Sequence, residues 1–192
     1  MKREYSALSL GPLAPAARIA EPAPPERVTL DDPAFSVMTD LRVVVAATIS
    51  PERTIDEANA TMVQRGVRLL FVLDADHAIA GVITATDLLG EKPLRFIQER
   101  GVSHAEILVG NIMTPASMLE ALSMQDVAQM RVGHIVATLK AVRRQHVMAS
   151  EEGGRRVRGL FSASQIARQL GFDVQTTEVA RTFAEIEAAL AR

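Results

Sequence analysis

The 192 residues contain no cysteine, which excludes a disulfide framework, a thiolate zinc site and a cysteine nucleophile, and fits a reducing compartment. An excess of positive charge is also missing. With a formal charge of -2 and a pI near 6.1, the chain offers no broad cationic field for a nucleic-acid backbone. The opening stretch MKREYSALSLGPLAPAARIAEPAPPER holds no sustained apolar segment, and no later run approaches the roughly 20 apolar residues of a membrane span. Catalytic signatures are absent: there is no G-x-S-x-G, P-loop or G-x-G-x-x-G, and no nucleophile beside an orienting base. His77, His104, His134 and His146 are scattered without metal-ligand spacing, so each reads as a turn, loop or packing residue. Together these absences point to a cytoplasmic, soluble, non-enzymatic chain, with no membrane anchor and no nucleic-acid partner.

What is present is a normal globular share of apolar residues, 48%, and a repeat. Residues 11 to 27 carry five of the nine prolines, so residues 1–36 read as an extended arm. From Val37 onward, VMT at 37–39 returns as IMT at 112–114, and Gly81 returns as Gly159, giving offsets of 75 and 78 residues. In the first unit, Thr54 and Glu57 form an S/T-x-x-E helix start; Ile55, Ala58 and Met62 follow on one face and Gly66 marks the stop. RLLFVL and AIAGVIT then read as an antiparallel hairpin around the turn DADH, feeding a helix from Thr84. The second unit repeats the plan: a stripe of Val132, Ile135, Val136, Leu139 and Val142, the strands QHVMAS and RVRGLFS, and a helix from Ser162. The fold class is therefore α/β (α+β), with two pseudo-symmetric units at 37–91 and 111–171, each a small sheet flanked by helices, packed as a pair. A connecting helix and loop fill 92–110. Residues 172–192 read as an amphipathic helix whose seam, Val179, Phe183, Ile186 and Leu190, needs a partner such as a second copy. Met113, Met118, Met124 and Met130 are expected to fill core gaps.

Function turns on one repeated phrase. GVITATDL at 81–88 is echoed by GLFSASQI at 159–166, with Asp87 where the echo has Gln165. In one reading both phrases are helix caps, Thr84 with Asp87 and Ser162 with Gln165. In the other a ligand is added: a carboxylate can accept from the two hydroxyls of a ribose, whereas a neutral glutamine caps the helix but holds a diol less well. On that view the second copy keeps the cap and loses the sugar clamp. Five arginines in VRRQ and GGRRVRG read as a solvated hairpin, or as flanks of a cleft that could pair with a polyphosphate.

The duplicated MT, the helix, the GV entry into an apolar strand and GVITATDLL resemble the cystathionine-beta-synthase-type (CBS) domain, from about Val37 to Gly171. The resemblance implies a tandem pair packed through its sheets, with clefts for adenosine-containing ligands such as AMP, ATP or S-adenosylmethionine, and joining of two chains as a homodimer. It implies Thr84 near phosphate or ribose with Thr86 beside it, Asp87 on the ribose, and Val67 and Arg68 flanking base or phosphate. Ser162 and Gln165 occupy the corresponding places of a second cleft. The expectation is a stand-alone regulatory module without a resident cofactor, acting in trans on an unknown protein partner. The alternative is a ligand-free dimeric adaptor.

Overall fold

The computed structural model describes residues 6–20 and 26–172. The apolar seam from Val179 to Leu190 lies outside the described residues. Among the described residues, eight strands form two four-stranded sheets. In chain order the strands are β1 (Thr39–Asp40), β2 (Thr48–Ile49), β3 (Leu69–Leu73), β4 (Ile79–Thr84), β5 (Thr114–Pro115), β6 (Ala121–Ser123), β7 (His146–Glu151) and β8 (Arg156–Ser162). The helices are α1 (Ile55–Arg65), α2 (Ala85–Leu89), α3 (Glu91–Arg100), α4 (Val109–Ile112), α5 (Met124–Val127), α6 (Val132–Ala141) and α7 (Ala163–Gln169).

Local chemistry explains most boundaries. Thr54 and Glu57 exchange both bonds of a capping box at the start of α1, and Gly66 ends it with φ of 63°. The buried face is Ile55, Ala58 and Met62, as their spacing dictates. The α3 helix lies in the connecting segment and stops at Gly101. In α6 the buried stripe is Val132, Ile135, Val136 and Leu139. Val142 is a correction to the sequence reading: it caps the helix and is 41% exposed. Met118 is a second correction, 63% exposed rather than packed.

Both sheets bury both faces, which is why LLFVL is a continuous apolar run rather than an alternating one. Leu70 and Val72 pack with α1 in the first unit's core, while Leu69 and Phe71 join Val82 and Met148 between the sheets. The second unit repeats this division: Val147, Ala149 and Phe161 face its own helical core. The sheet orders β2-β3-β4-β5 and β6-β7-β8-β1 are equivalent, and each hairpin carries an irregularity at the same place, Val72/Leu73 and Ala149/Ser150.

Sheet membership does not follow chain order. The two Met-Thr strands are exchanged: β1 pairs with β8 of the second unit and β5 with β4 of the first. The flanking backbone crosses over as well. The amide of Ile55 donates to Ile107 O at 3.0 Å, and its counterpart Val132 donates to Asp32 O at 2.9 Å. Val28 N donates to Gln169 O, and Val28 and Leu30 pack on the second unit's core. The segment before Val37 is thus docked from Val28 onward. Glycine allows the close passage of the exchanged strands. A Cβ on Gly81 would lie 2.4 Å from Thr114 O, and one on Gly159 2.3 Å from Met38 Sδ.

Candidate functional site

Packing the two units through their sheets leaves two clefts, and exchange of the strands decides which residues meet in each. Thr84, the last residue of β4, caps α2. Its hydroxyl accepts from Asp87 N at 3.3 Å, while Asp87 Oδ2 accepts from Thr84 N at 2.8 Å and Thr84 Oγ1 at 2.7 Å. The other carboxylate oxygen, Oδ1, lies 2.6 Å from Lys92 Nζ, and that ammonium also donates to Ile112 O at 3.0 Å. Asp87 is partly buried, its side chain 13% exposed. Two carboxylate oxygens have about four acceptor positions in all. Oδ2 has filled its two; Oδ1 retains one.

Thr84, Thr86 and Asp87 line a cleft of about 230 Å³ together with Thr114 of β5 and, from the second unit, Glu120, Arg143, Arg144, Gln145 and His146. Val67 and Arg68 are not in it. They line the other cleft, of about 400 Å³, with Ser162, Ser164, Gln165, Arg168 and Thr39. The predicted residues are therefore divided between two clefts: the end of α1 and the start of β3 face the α7 start, while the equivalent turn after α6 faces the α2 start. Gln145 is the repeat counterpart of Arg68, since each carbonyl accepts the amide of the residue opening the next helix, Ala163 and Ala85 respectively.

The second phrase is not a cap, which corrects the sequence reading. Ser162 makes no side-chain capping bond; its hydroxyl lies 3.1 Å from Ser164 Oγ. Gln165 Oε1 instead accepts from Thr39 Oγ1 at 3.1 Å. Thr39 is the threonine of the first MT phrase, carried here by strand exchange. The glutamine is one methylene longer than aspartate and neutral, so it reaches the neighbouring strand rather than turning back to its own helix.

His146 and Arg168 line the clefts without any sequence signal that singles them out. The arginines of VRRQ belong to the Asp87 cleft, where Arg144 lies 3.6 Å from Glu120. Those of GGRRVRG serve elsewhere: Arg158 pairs with Asp40 at 3.2 Å, and Arg156 with Glu152 at 3.0 Å. His146 lines both clefts. Burial, and then the nearby positive charge of Arg68, lower its pKa from 6.5 to about 4, so the ring is neutral at pH 7. Among the described residues no group of three or more His, Asp or Glu side chains could hold a metal ion, and no helix is long and apolar enough to cross a membrane.

Comparison with known proteins fits this architecture. The family model of the CBS domain matches residues 34–93. Similar solved structures include an uncharacterized conserved protein from Pyrococcus horikoshii, 21% identical, with a TM-score of 0.56, over 78% of this chain and 100% of that one. A CBS-domain containing protein from Agrobacterium tumefaciens is 20% identical, with a TM-score of 0.51, over 65% of this chain and 83% of its own. The Arabidopsis thaliana CBS-pair protein CBSX2, solved in complex with AMP, is 18% identical, with a TM-score of 0.50, over 72% of this chain and 94% of its own. At these identities the likeness concerns the fold. No curated protein matches the chain in sequence.

Proposed function

Starting from a CBS-domain protein whose two units pack as a CBS pair, we propose that the chain is a non-catalytic regulatory module that binds an adenosine-containing ligand in the Asp87 cleft. The observation that carries this reading is the open acceptor position on Asp87 Oδ1, in a cleft that also presents the Thr86 hydroxyl and two arginines. One ribose hydroxyl would donate to Oδ1 and its neighbour would pair with Thr86, while Arg143 and Arg144 suit a phosphate. That CBSX2 was solved with AMP supports the ligand class. AMP, ATP and S-adenosylmethionine all present the required diol.

The cleft walls come from both units, so a ligand that binds one arrangement of the pair better than another shifts that equilibrium, and a protein partner can read the shift in trans. The cytoplasm, where such nucleotides abound, is the proposed setting. A second copy of the chain is the proposed assembly, and Val63 and Leu89 on the first unit's helices and Leu94 on α3 are exposed apolar side chains. Isothermal titration with AMP, ATP and S-adenosylmethionine tests the ligand. Binding to the native chain that weakens at least tenfold in Asp87→Ala is expected; no heat with any of the three overturns the reading.

The adaptor reading is favoured by one observation: both Asp87 oxygens already have protein partners. It requires that partner capture, measured with the same chain, be indifferent to every adenosyl ligand.

A further inference from the structure

We propose that the N-terminal arm of one chain adds as a strand to the outer edge of β2 in a second copy, in the groove between β2 and α1, and that two chains exchange arms in this way. The inference lies outside both clefts and shares with the proposed function only the premise that two copies meet.

A groove of about 620 Å³ runs along α1, with Thr48, Ile49 and Ser50 on one side and Ala60, Thr61 and Gln64 of the helix on the other. Among the described residues β2 is an edge strand, paired only with β3. Ala47 O accepts from Phe71 N at 2.9 Å. Successive residues of a strand direct their backbone groups to opposite sides, so the N–H and C=O of Thr48 point away from β3. An open edge of this kind is a template for another strand. Arg53 and Glu57, which also line the groove, pair with each other at 2.9 Å. Their charges offset, and the groove suits a peptide backbone with small and apolar side chains.

The chain carries a segment that fits. Residues 6–20 are exposed throughout, and among the described residues their backbone makes one bond, from Ala17 N to Ala14 O within the arm itself. Leu8, Leu10, Leu13 and Ile19 are 88 to 98% exposed. Single exposed leucines are ordinary, but four such side chains on a short segment that its own chain leaves uncovered call for a partner. SALSL at 6–10 alternates as a half-buried strand does, with Leu8 and Leu10 on one face and Ala7 and Ser9 on the other. Laid antiparallel to β2, it sets the two leucines over Ile49 and Leu73, which are partly buried. The same direction brings Lys2 and Arg3 to the turn after β3, where Asp74 and Asp76 are exposed. The stretch from Leu10 to Val28, where the arm joins the body, spans up to about 60 Å when extended. That reaches a neighbouring chain, and a reciprocal exchange closes a two-fold dimer.

The test uses the full chain, which has no cysteine of its own. Chains carrying a nitroxide on Ser9→Cys are mixed with unaltered, isotope-labelled chains, so that every effect on the magnetic resonance spectrum acts between molecules and is read on an unmutated fold. The amides of Thr48, Thr61 and Gln64 should lose at least half their intensity and recover it when the nitroxide is reduced. Leu8→Ser with Leu10→Ser should weaken self-association at least tenfold in sedimentation. Broadening that is absent from these amides, or confined to the helices bearing Val63 and Leu89, overturns the inference and leaves a dimer of another kind; self-association unchanged in the arm variant overturns it as well. A chain that sediments as a monomer at every concentration overturns both this inference and the proposed assembly, and leaves the ligand reading standing.

Discussion

At Asp87 one side chain has two duties, closing the first turn of α2 and tying it to Lys92 of α3. Asp87→Asn keeps an oxygen for Thr84 but removes the charge facing Lys92, so it should cost about 1 kcal/mol in urea unfolding, with Asp87→Ala costing more because the cap is lost as well. His146 offers a second test. It stands where the first unit has Leu69: each pairs with the residue that precedes the following helix, Ser162 and Thr84. Its pKa falls from 6.5 unfolded to about 4 folded, so the unfolded chain binds the extra proton. Its contribution is therefore complete above about pH 6.5 and is lost as pH falls towards 4, by roughly 3 kcal/mol. Between pH 6.5 and 5, above the range of most carboxylates, His146→Leu should flatten the pH dependence of the urea midpoint. An unchanged slope would mean that the ring is solvated.

Among elements, the instructive contrast is between helices that look alike in sequence. The S/T-x-x-E pattern before α1 forms its box, whereas Ser162 before α7 makes no cap. Thr54→Ala should destabilise by about 1 kcal/mol and Ser162→Ala by only a few tenths, measured side by side. The exchanged strands give a sharper comparison. A methyl on Gly81 meets the backbone oxygen of Thr114, while one on Gly159 meets the side chain of Met38, which can move. Gly81→Ala should therefore cost about 2 to 3 kcal/mol, and Gly159→Ala clearly less. The hairpins, α1, α3 and the buried stripes were legible because caps, turns and periodicity are local signals. The failure at Ser162 was not legible, since Gln165 is diverted by Thr39, 126 residues away in the chain. The division of Val67 and Arg68 from Asp87 escaped for the same reason: no local pattern states which strand crosses to which sheet.

For the whole molecule, exchange of β1 and β5 makes the two units interdependent. A fragment of residues 37–91 would lack β5 and the core residues Ile107, Val109 and Ile112, and would expose Leu69, Phe71 and Val82. The three missing core side chains alone account for roughly 5 to 9 kcal/mol of burial, comparable with the entire stability of an ordinary domain. The fragment should show no dispersed amide spectrum, and the full chain should unfold in one cooperative step. A stably folded fragment would refute this interdependence. The same interlacing builds each cleft from both units, which gives a ligand leverage over the packing of the pair.

The sequence alone determined the repeat, the order of elements in each unit and the faces they bury, because these depend on periodicity, capping and turn residues within a few positions of one another. It also singled out Asp87. Only the tertiary structure decided which residues meet: exchange of the Met-Thr strands put Arg143 and Arg144 opposite Asp87, put Arg68 opposite Gln165, and turned Gln165 from a cap into a tie to Thr39. Those outcomes depend on contacts between segments far apart in the chain, and such contacts are fixed by the mutual burial of two sheets rather than by any local pattern.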